Sequence, residues 1–237
     1  FTLTFEQKEA LQKLIDGLNK KCFVPILFYG VTGSGKTEVY LRALEANSRN
    51  GRQAIVLLPE IALTDYMIDL FKSRLGNQVV IWHSNLTIKE KRNAWQKMSL
   101  GQATIIVGAR SAIFAPFSNL GLIIIDEEHE NSYCQEQNPK YHAREVALKR
   151  GMIEGATVVL GSATPSLETA YRASKGEYLF VALNERVDAR PMPRVEIVDL
   201  RQELQKGNFS IFSELLQSKL KERLAAQEQV ILFLNRR

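Results

Sequence analysis

Apolar residues in this chain fall into two alternating patterns. Short unbroken runs at 24–29, 54–58, 79–82, 103–107, 122–125 and 157–160 are rich in β-branched residues and predict strands buried on both faces. Between them the apolar positions recur at helical spacing. Ala10, Leu11, Leu14, Ile15 and Leu18 form one such stripe, and Val39, Leu41, Ala43 and Leu44 form another. Further helices are predicted over 64–74, 87–98, 143–150 and 213–226. Strand alternating with helix predicts an α/β fold, a parallel sheet covered by helices on both faces. Ligands in such folds gather at the carboxyl ends of the strands, and each polar cluster of this sequence falls at one of those ends.

The first apolar run leads into G-V-T-G-S-G-K-T at 30–37, which opens the second helical stripe. Strand, glycine-rich loop and helix is the context that identifies a phosphate-binding loop. Glycines let backbone N–H groups turn toward a phosphate chain, and the helix N-terminus adds partial positive charge. Gly30, Val31, Thr32, Gly33, Ser34, Gly35, Lys36 and Thr37 are therefore the nucleotide-binding candidates. Lys36 is expected on the β- and γ-phosphates and the Thr37 hydroxyl on Mg²⁺. The run at 122–125 ends in Asp126 and Glu127. Asp126 is placed to hold Mg²⁺ and Glu127 to polarise the attacking water, which explains successive carboxylates at one strand end. The expectation is that two adjoining strand ends, one basic and one acidic, jointly enclose a metal-bound triphosphate.

Composition narrows the picture only a little. The 237 residues allow a substantial core, and 45% hydrophobic with 24% charged residues is ordinary for a soluble protein. No apolar stretch approaches the roughly 20 residues of a membrane span, so a cytoplasmic protein without a membrane partner is expected. Cys22 and Cys134 have no C-x-x-C spacing and predict neither a disulfide framework nor a zinc site. Lys and Arg outnumber Asp and Glu by 31 to 26, a surplus that permits a polyanionic partner without requiring one.

Beyond residue 184 the texture becomes proline-rich and basic, over 187–194. Residues 1–184 are expected to form the first lobe, 185–212 a linker with a short strand at 195–198, and 213–237 the truncated start of a second lobe with a strand at 229–234. At the other end Gln7 has two readings, the Gln of a capping box begun by Thr4 and an adenine contact upstream of the phosphate loop.

Six stretches carry a family resemblance: the phosphate loop, L-P-E-I-A-L-T at 58–64, G-A-R-S-A-I-F-A-P-F at 108–117, D-E-E-H at 126–129, G-S-A-T-P-S at 161–166 and F-L-N-R-R at 233–237. In this order they resemble the superfamily 2 helicases, and in wording the primosomal replication-restart helicases of bacteria (the PriA family). The resemblance implies a RecA-like P-loop NTPase lobe and an ATP- and Mg²⁺-dependent 3′-to-5′ DNA helicase acting at stalled forks. Its implied partners are branched or fork-like DNA with single-stranded tracks, primosome proteins and single-stranded DNA-binding protein, in the bacterial cytoplasm at the nucleoid. Zinc is implied for the whole family member but not for this chain.

Carried over by position, Gln7 matches the adenine-side glutamine. Ser162 and Thr164 would link hydrolysis to DNA movement, and Thr64, Arg110 and Ser111 would grip the DNA backbone. For Arg110 a structural salt bridge stays open. Residues 131–144 resemble an aromatic-rich loop in which Tyr133 and Tyr141 stack on bases while Lys140 and Arg144 meet phosphates; tyrosines that merely pack on the lobe are the alternative. His129 is expected to couple motifs by hydrogen bonding. A chain of this extent is expected to hydrolyse ATP poorly alone, because such motors draw an arginine from the second lobe. Another superfamily 2 translocase, acting on RNA or in a restriction system, and a non-translocating nucleotide switch are the competing readings.

Overall fold

The computed structural model describes residues 2–187 and 193–234. They belong to two compact units, residues 1–190 and 191–237. In the first unit the β-branched runs form β1 (Val24–Gly30), β2 (Gln53–Leu57), β3 (Val79–Trp82), β4 (Ile105–Gly108), β5 (Leu120–Ile125), β8 (Thr157–Ser162) and β9 (Leu179–Leu183). These seven are parallel and lie in the order β3-β4-β2-β5-β8-β1-β9. A small antiparallel pair, β6 (Cys134–Gln135) and β7 (Tyr141–His142), stands apart from the sheet.

Alternation along each strand feeds two cores. Leu122 and Ile124 of β5 join Ile26, Phe28, Val56 and Val159 under α1 (Phe5–Asn19), α2 (Lys36–Arg49) and α3 (Asp65–Leu75). Ile123 and Ile125 join Leu57, Ile106 and Leu160 under α4 (Ile88–Ser99) and α5 (Ala143–Glu154). Both faces are thus buried, and each such side chain contributes about 1.5–3 kcal/mol. Local chemistry sets the helix starts. Thr4 Oγ1 accepts from the Gln7 N–H at 3.3 Å while Gln7 Oε1 accepts from the Thr4 N–H at 3.0 Å, completing the capping box. Thr87 and Glu90 do the same for α4.

Three features depart from the reading of the sequence. The phosphate loop follows β1 and the acidic residues follow β5, but these strands are not neighbours, because β8 runs between them. The α6 helix (Leu167–Ser174) and β9 lie in a stretch to which the sequence reading assigns no element; α6 is only eight residues long and β9 is exposed at Leu179 and Phe180. In the second unit the stretch read as a linker contains α7 (Leu200–Gln205), followed by α8 (Glu214–Ala225) with Ser213 as its N-cap. Glu203 Oε2 ties the two together, accepting from the Glu214 N–H at 2.7 Å and from Asn208 Nδ2 at 2.8 Å. The strands expected at 195–198 and 229–234 do not form. A lone strand has no neighbour to take its N–H and C=O groups. The stretch at 187–194 is described only at 187, 193 and 194, and the final Asn-Arg-Arg at 235–237 lies outside the described residues.

His142 closes β7 and caps α5, its Nδ1 accepting from the Arg144 N–H at 3.2 Å. Burial and the neighbouring Arg144 charge hold its pKa below the ordinary value. The folded state therefore binds fewer protons than the unfolded state around pH 6.5, so stability present above that pH is lost as pH falls through the folded pKa. His142→Asn keeps a capping acceptor without titrating. The difference in urea-unfolding free energy between wild type and this variant is expected to shift against wild type between pH 7.5 and 5.5; a constant difference would disprove the assignment.

Candidate nucleotide site and its surroundings

The chain leaves β1 at Gly30 and turns through Gly33 and Gly35, both at φ +81°, a region that side-chain-bearing residues adopt at a cost. Gly35 has a second reason to lack a side chain: a Cβ there would lie 2.4 Å from Gln7 Nε2. That amide nitrogen donates to the Ser34 carbonyl at 2.9 Å and is buried. Both ends of the Gln7 amide are therefore engaged, one in the cap of α1 and one in the phosphate loop. The capping reading holds, and the same side chain supports the loop. Val31 N–H donates to the Leu183 carbonyl at 3.2 Å, pinning the loop to β9, while Thr32 is exposed.

Lys36 is buried and its Nζ donates to the Gly30 carbonyl at 2.8 Å. The same ammonium lies 3.9 Å from Glu127 Oε1, so the loop and the acidic strand end do converge despite the strand between them. Glu127 sits at φ +48°, a left-handed conformation costing a non-glycine residue about 1–2 kcal/mol. The turn aims its carboxylate between Lys36 and His129, whose Nδ1 is 3.7 Å from Glu127 Oε2. Asp126 lies deeper. Burial pushes its carboxyl above the ordinary range and Glu127 adds to this, while Lys36 and a hydrogen bond from Tyr40 pull it back. Tyr40 Oη donates to Asp126 Oδ1 at 3.0 Å.

This pocket fits a nucleotide phosphate chain with its divalent cation. The Ser34 hydroxyl is buried without a partner, and a buried ammonium faces two carboxylates at the start of a helix. Thr37 follows Lys36 on the first turn of α2, half-buried.

The third acid does different work. Glu128 is fully buried and accepts from Arg144 Nη1 at 2.9 Å, the Ser166 N–H at 2.7 Å, Ser166 Oγ at 3.2 Å and Thr169 Oγ1 at 3.1 Å. Arg144 is thereby taken out of the expected set of phosphate contacts. It is the counter-charge of a buried acid, and removing one member of such a pair costs about 3–5 kcal/mol. His129 couples motifs by hydrogen bonding as expected: Ser162 Oγ accepts from the Thr164 N–H at 2.9 Å and shares a hydrogen bond of 2.7 Å with His129 Nδ1. Thr164 Oγ1 lies 3.4 Å from His129 Nε2, so D-E-E-H and S-A-T meet through this ring.

Tyr133 is a second correction. It is 1% exposed, and its hydroxyl donates to the carbonyls of Asp126 at 2.7 Å and Leu57 at 3.1 Å. A ring packed in the core has no face for a base, so the packing alternative holds for this tyrosine. Arg110 Nη1 donates to the carbonyls of Ser132 and Cys134, on either side of Tyr133, so its partners are backbone carbonyls and not the acid of a salt bridge. Tyr141 is partly exposed; it packs edge-on against Phe114 at 5.1 Å, with the Arg110 guanidinium 5.8 Å from its ring centre. Ser111 Oγ accepts from Trp82 Nε1 at 3.0 Å, and Thr64 Oγ1 caps α3 through the Met67 N–H at 3.4 Å. A cleft of about 350 Å³ opens between Leu58, Glu60, Ser84, Arg110, Ser111 and Ser132, beyond the ends of β2, β3 and β4. Lys140 is exposed beside Tyr141.

Tyr40 and Glu128 escaped the sequence reading. Tyr40 reads as one more residue of an amphipathic helix, and nothing local marks its hydroxyl. Glu128 carried one available signal, a third consecutive acid where the chemistry uses two.

A model of the DEAD/DEAH box helicase family matches residues 4–173. The replication restart protein PriA of Bacillus subtilis (strain 168) is 52% identical over 235 residues, which cover 99% of this chain and 29% of that protein. PriA of Synechocystis sp. is 48% identical over 240 residues, covering 99% and 28%. The chain thus spans under a third of the length of these curated relatives. RecG bound to a three-way DNA junction superposes with a TM-score of 0.60 at 24% identity, covering 87% of this chain and 27% of that one. The Pyrococcus furiosus Hef helicase domain gives 0.54 at 19%, covering 93% and 46%. These two likenesses establish the fold, a helicase-type RecA-like lobe.

The two tyrosines of the 131–144 stretch are separable by experiment. Tyr133→Phe removes the buried hydroxyl that donates to the Asp126 carbonyl, while the Leu57 carbonyl keeps the Asp126 N–H, and is expected to cost about 1–3 kcal/mol, whereas Tyr141→Phe stays within about 0.5 kcal/mol of wild type. Urea unfolding of both variants reads the difference, and equal losses would contradict the buried role of Tyr133.

Proposed function

The chain belongs to the DEAD/DEAH box helicase family, and on that basis we propose that it is the ATP-binding lobe of a 3′-to-5′ DNA translocase that acts at stalled replication forks during replication restart. The observation that carries the ATPase reading is the approach of Lys36 to Glu127 across an intervening strand, beside the unpartnered Ser34 hydroxyl. The restart role is supported by identity to the PriA proteins over nearly the whole of this chain.

In this reading Gly30, Val31, Thr32, Gly33, Ser34 and Gly35 present the backbone to the phosphates, and Lys36 exchanges the Gly30 carbonyl for phosphate oxygens. Thr37 and Asp126 hold Mg²⁺, which supplies charge neutralisation on the transferring phosphoryl group. Glu127, aimed by its left-handed backbone, accepts the proton of the attacking water. His129 reports the state of Glu127 to Ser162 and Thr164. Gln7, beside the phosphate loop through its bond to Ser34, is proposed to meet adenine. Single-stranded DNA is proposed to track past Thr64, Arg110, Ser111 and Tyr141 beside the cleft at the sheet ends, with Lys140 meeting phosphate. The whole protein is proposed to engage branched DNA, primosome proteins and single-stranded DNA-binding protein. Hydrolysis by this chain alone is expected to be slow, because an arginine from a second lobe completes such sites.

In the full-length protein, Lys36→Ala is expected to lower ATP turnover roughly 100- to 1,000-fold while DNA binding persists. Turnover should rise with forked DNA bearing a 3′ leading-strand end and not with RNA. Normal turnover in the variant, or stimulation by RNA equal to that by DNA, would sink the proposal.

A further inference from the structure

The acid that would hold Mg²⁺ follows β5, while the phosphate loop that opens α2 follows β1, with β8 running between the two strands. Phe28 of β1 pairs with Gly161 of β8, and Ile125 of β5 pairs with Leu160, so the next step along the chain sets Asp126 beside Gly161. Phe28, Gly161 and Asp126 thus form one row across three strands, on the face covered by α2. Tyr40 spans that row. Its ring packs edge-on against Phe28 at 5.5 Å, passes over Gly161, and its hydroxyl reaches Asp126 Oδ1 at 3.0 Å.

The passage is narrow. A Cβ on Gly161 would lie 1.8 Å from Tyr40 Oη, 3.0 Å from Cζ and 3.2 Å from Asp126 Oδ1. No side chain fits at Gly161 while the tyrosine keeps its bond. The Gly161 carbonyl is in turn occupied by the Glu128 N–H at 3.0 Å, which holds β8 against the turn that carries the acids.

We infer that Tyr40 is a positioning residue for the metal-holding carboxylate, its hydroxyl fixing one oxygen of Asp126 and so the rotamer that offers the other, and that Gly161 is glycine because this bridge must cross it. The inference rests on the nucleotide-hydrolysing reading of the site. A donor on one carboxylate oxygen orients the ligand in the way that outer partners of metal ligands do, and losing such a partner costs about 10- to 100-fold in metal affinity. A tyrosine that merely filled the core would affect stability and leave the metal requirement unchanged.

The test uses the 237-residue chain as wild type, Tyr40→Phe, Gly161→Ala and the double variant, with a fluorescent non-hydrolysable ATP analogue as probe. Tyr40→Phe removes one oxygen and keeps the ring. It is expected to raise the Mg²⁺ concentration that half-saturates analogue binding roughly tenfold, with analogue affinity in EDTA unchanged. Thermal unfolding without nucleotide reads the packing. Gly161→Ala lowers Tm, and adding Tyr40→Phe recovers much of the loss because the closest clash disappears. An unchanged Mg²⁺ midpoint in Tyr40→Phe overturns the positioning role, and strictly additive Tm changes overturn the account of Gly161. If the wild-type chain binds the analogue without any Mg²⁺ dependence, the proposed function itself falls and takes the metal-positioning role with it.

Discussion

Two groups that must act on one phosphate are carried by strands that do not touch. Strands in a sheet lie about 4.8 Å apart, so β1 and β5 stand roughly 10 Å apart with β8 between them. The site exists because α2 starts where the phosphate loop leaves β1 and packs over β2 and β5, carrying its side chains to the acidic turn. Lys36 brings its ammonium to within 3.9 Å of Glu127, and Tyr40 brings its hydroxyl to Asp126. The tyrosine's passage is possible because β8 carries Gly161 at that level, one residue before its end, and so supplies only backbone there.

The three acids after β5 illustrate how one tetrapeptide divides its labour by direction. Asp126 continues the strand toward α2 and meets Tyr40. Glu127 is turned by its positive φ toward Lys36 and His129. Glu128 points into the protein, where four donors satisfy it and Arg144 balances its charge. An uncompensated carboxylate at that depth would be costly, so the network is obligatory once Glu128 is buried. Through it the start of α5, the start of α6 and the acidic turn become one unit, with the ends of β5 and β8 joined again by His129 and Ser162.

The 131–144 stretch is held in the same manner. Tyr133 fastens the main chain of Asp126 to that of Leu57, and Arg110 holds the carbonyls on either side of Tyr133. Two residues whose types suit nucleic acid, Tyr133 and Arg144, thus spend their hydrogen bonds inside the lobe. Tyr141, exposed in part, is the aromatic ring that remains at the surface of this loop. A side chain's chemistry names what it is able to bind, and burial decides what it does bind.

Periodicity alone made most of the first unit legible, because buried strands need unbroken apolar runs and surface helices need a stripe. The phosphate loop was legible for a similar reason: its glycines, lysine and threonine act within eight consecutive residues. By contrast, α6 is too short and β9 too exposed to stand out from a loop, and the apolar run at 229–234 forms no strand among the described residues. The amino-acid sequence by itself determined most of the elements of the first unit up to β8 and which residues carry charge at the strand ends, since both follow from neighbours a few positions apart. Strand order, the passage of Tyr40 over Gly161, and the inward turn of Tyr133, Glu128 and Arg144 were decided only in the tertiary structure. Each joins residues far apart in the chain, and such partners are chosen by which surfaces pack and which buried polar groups must be satisfied.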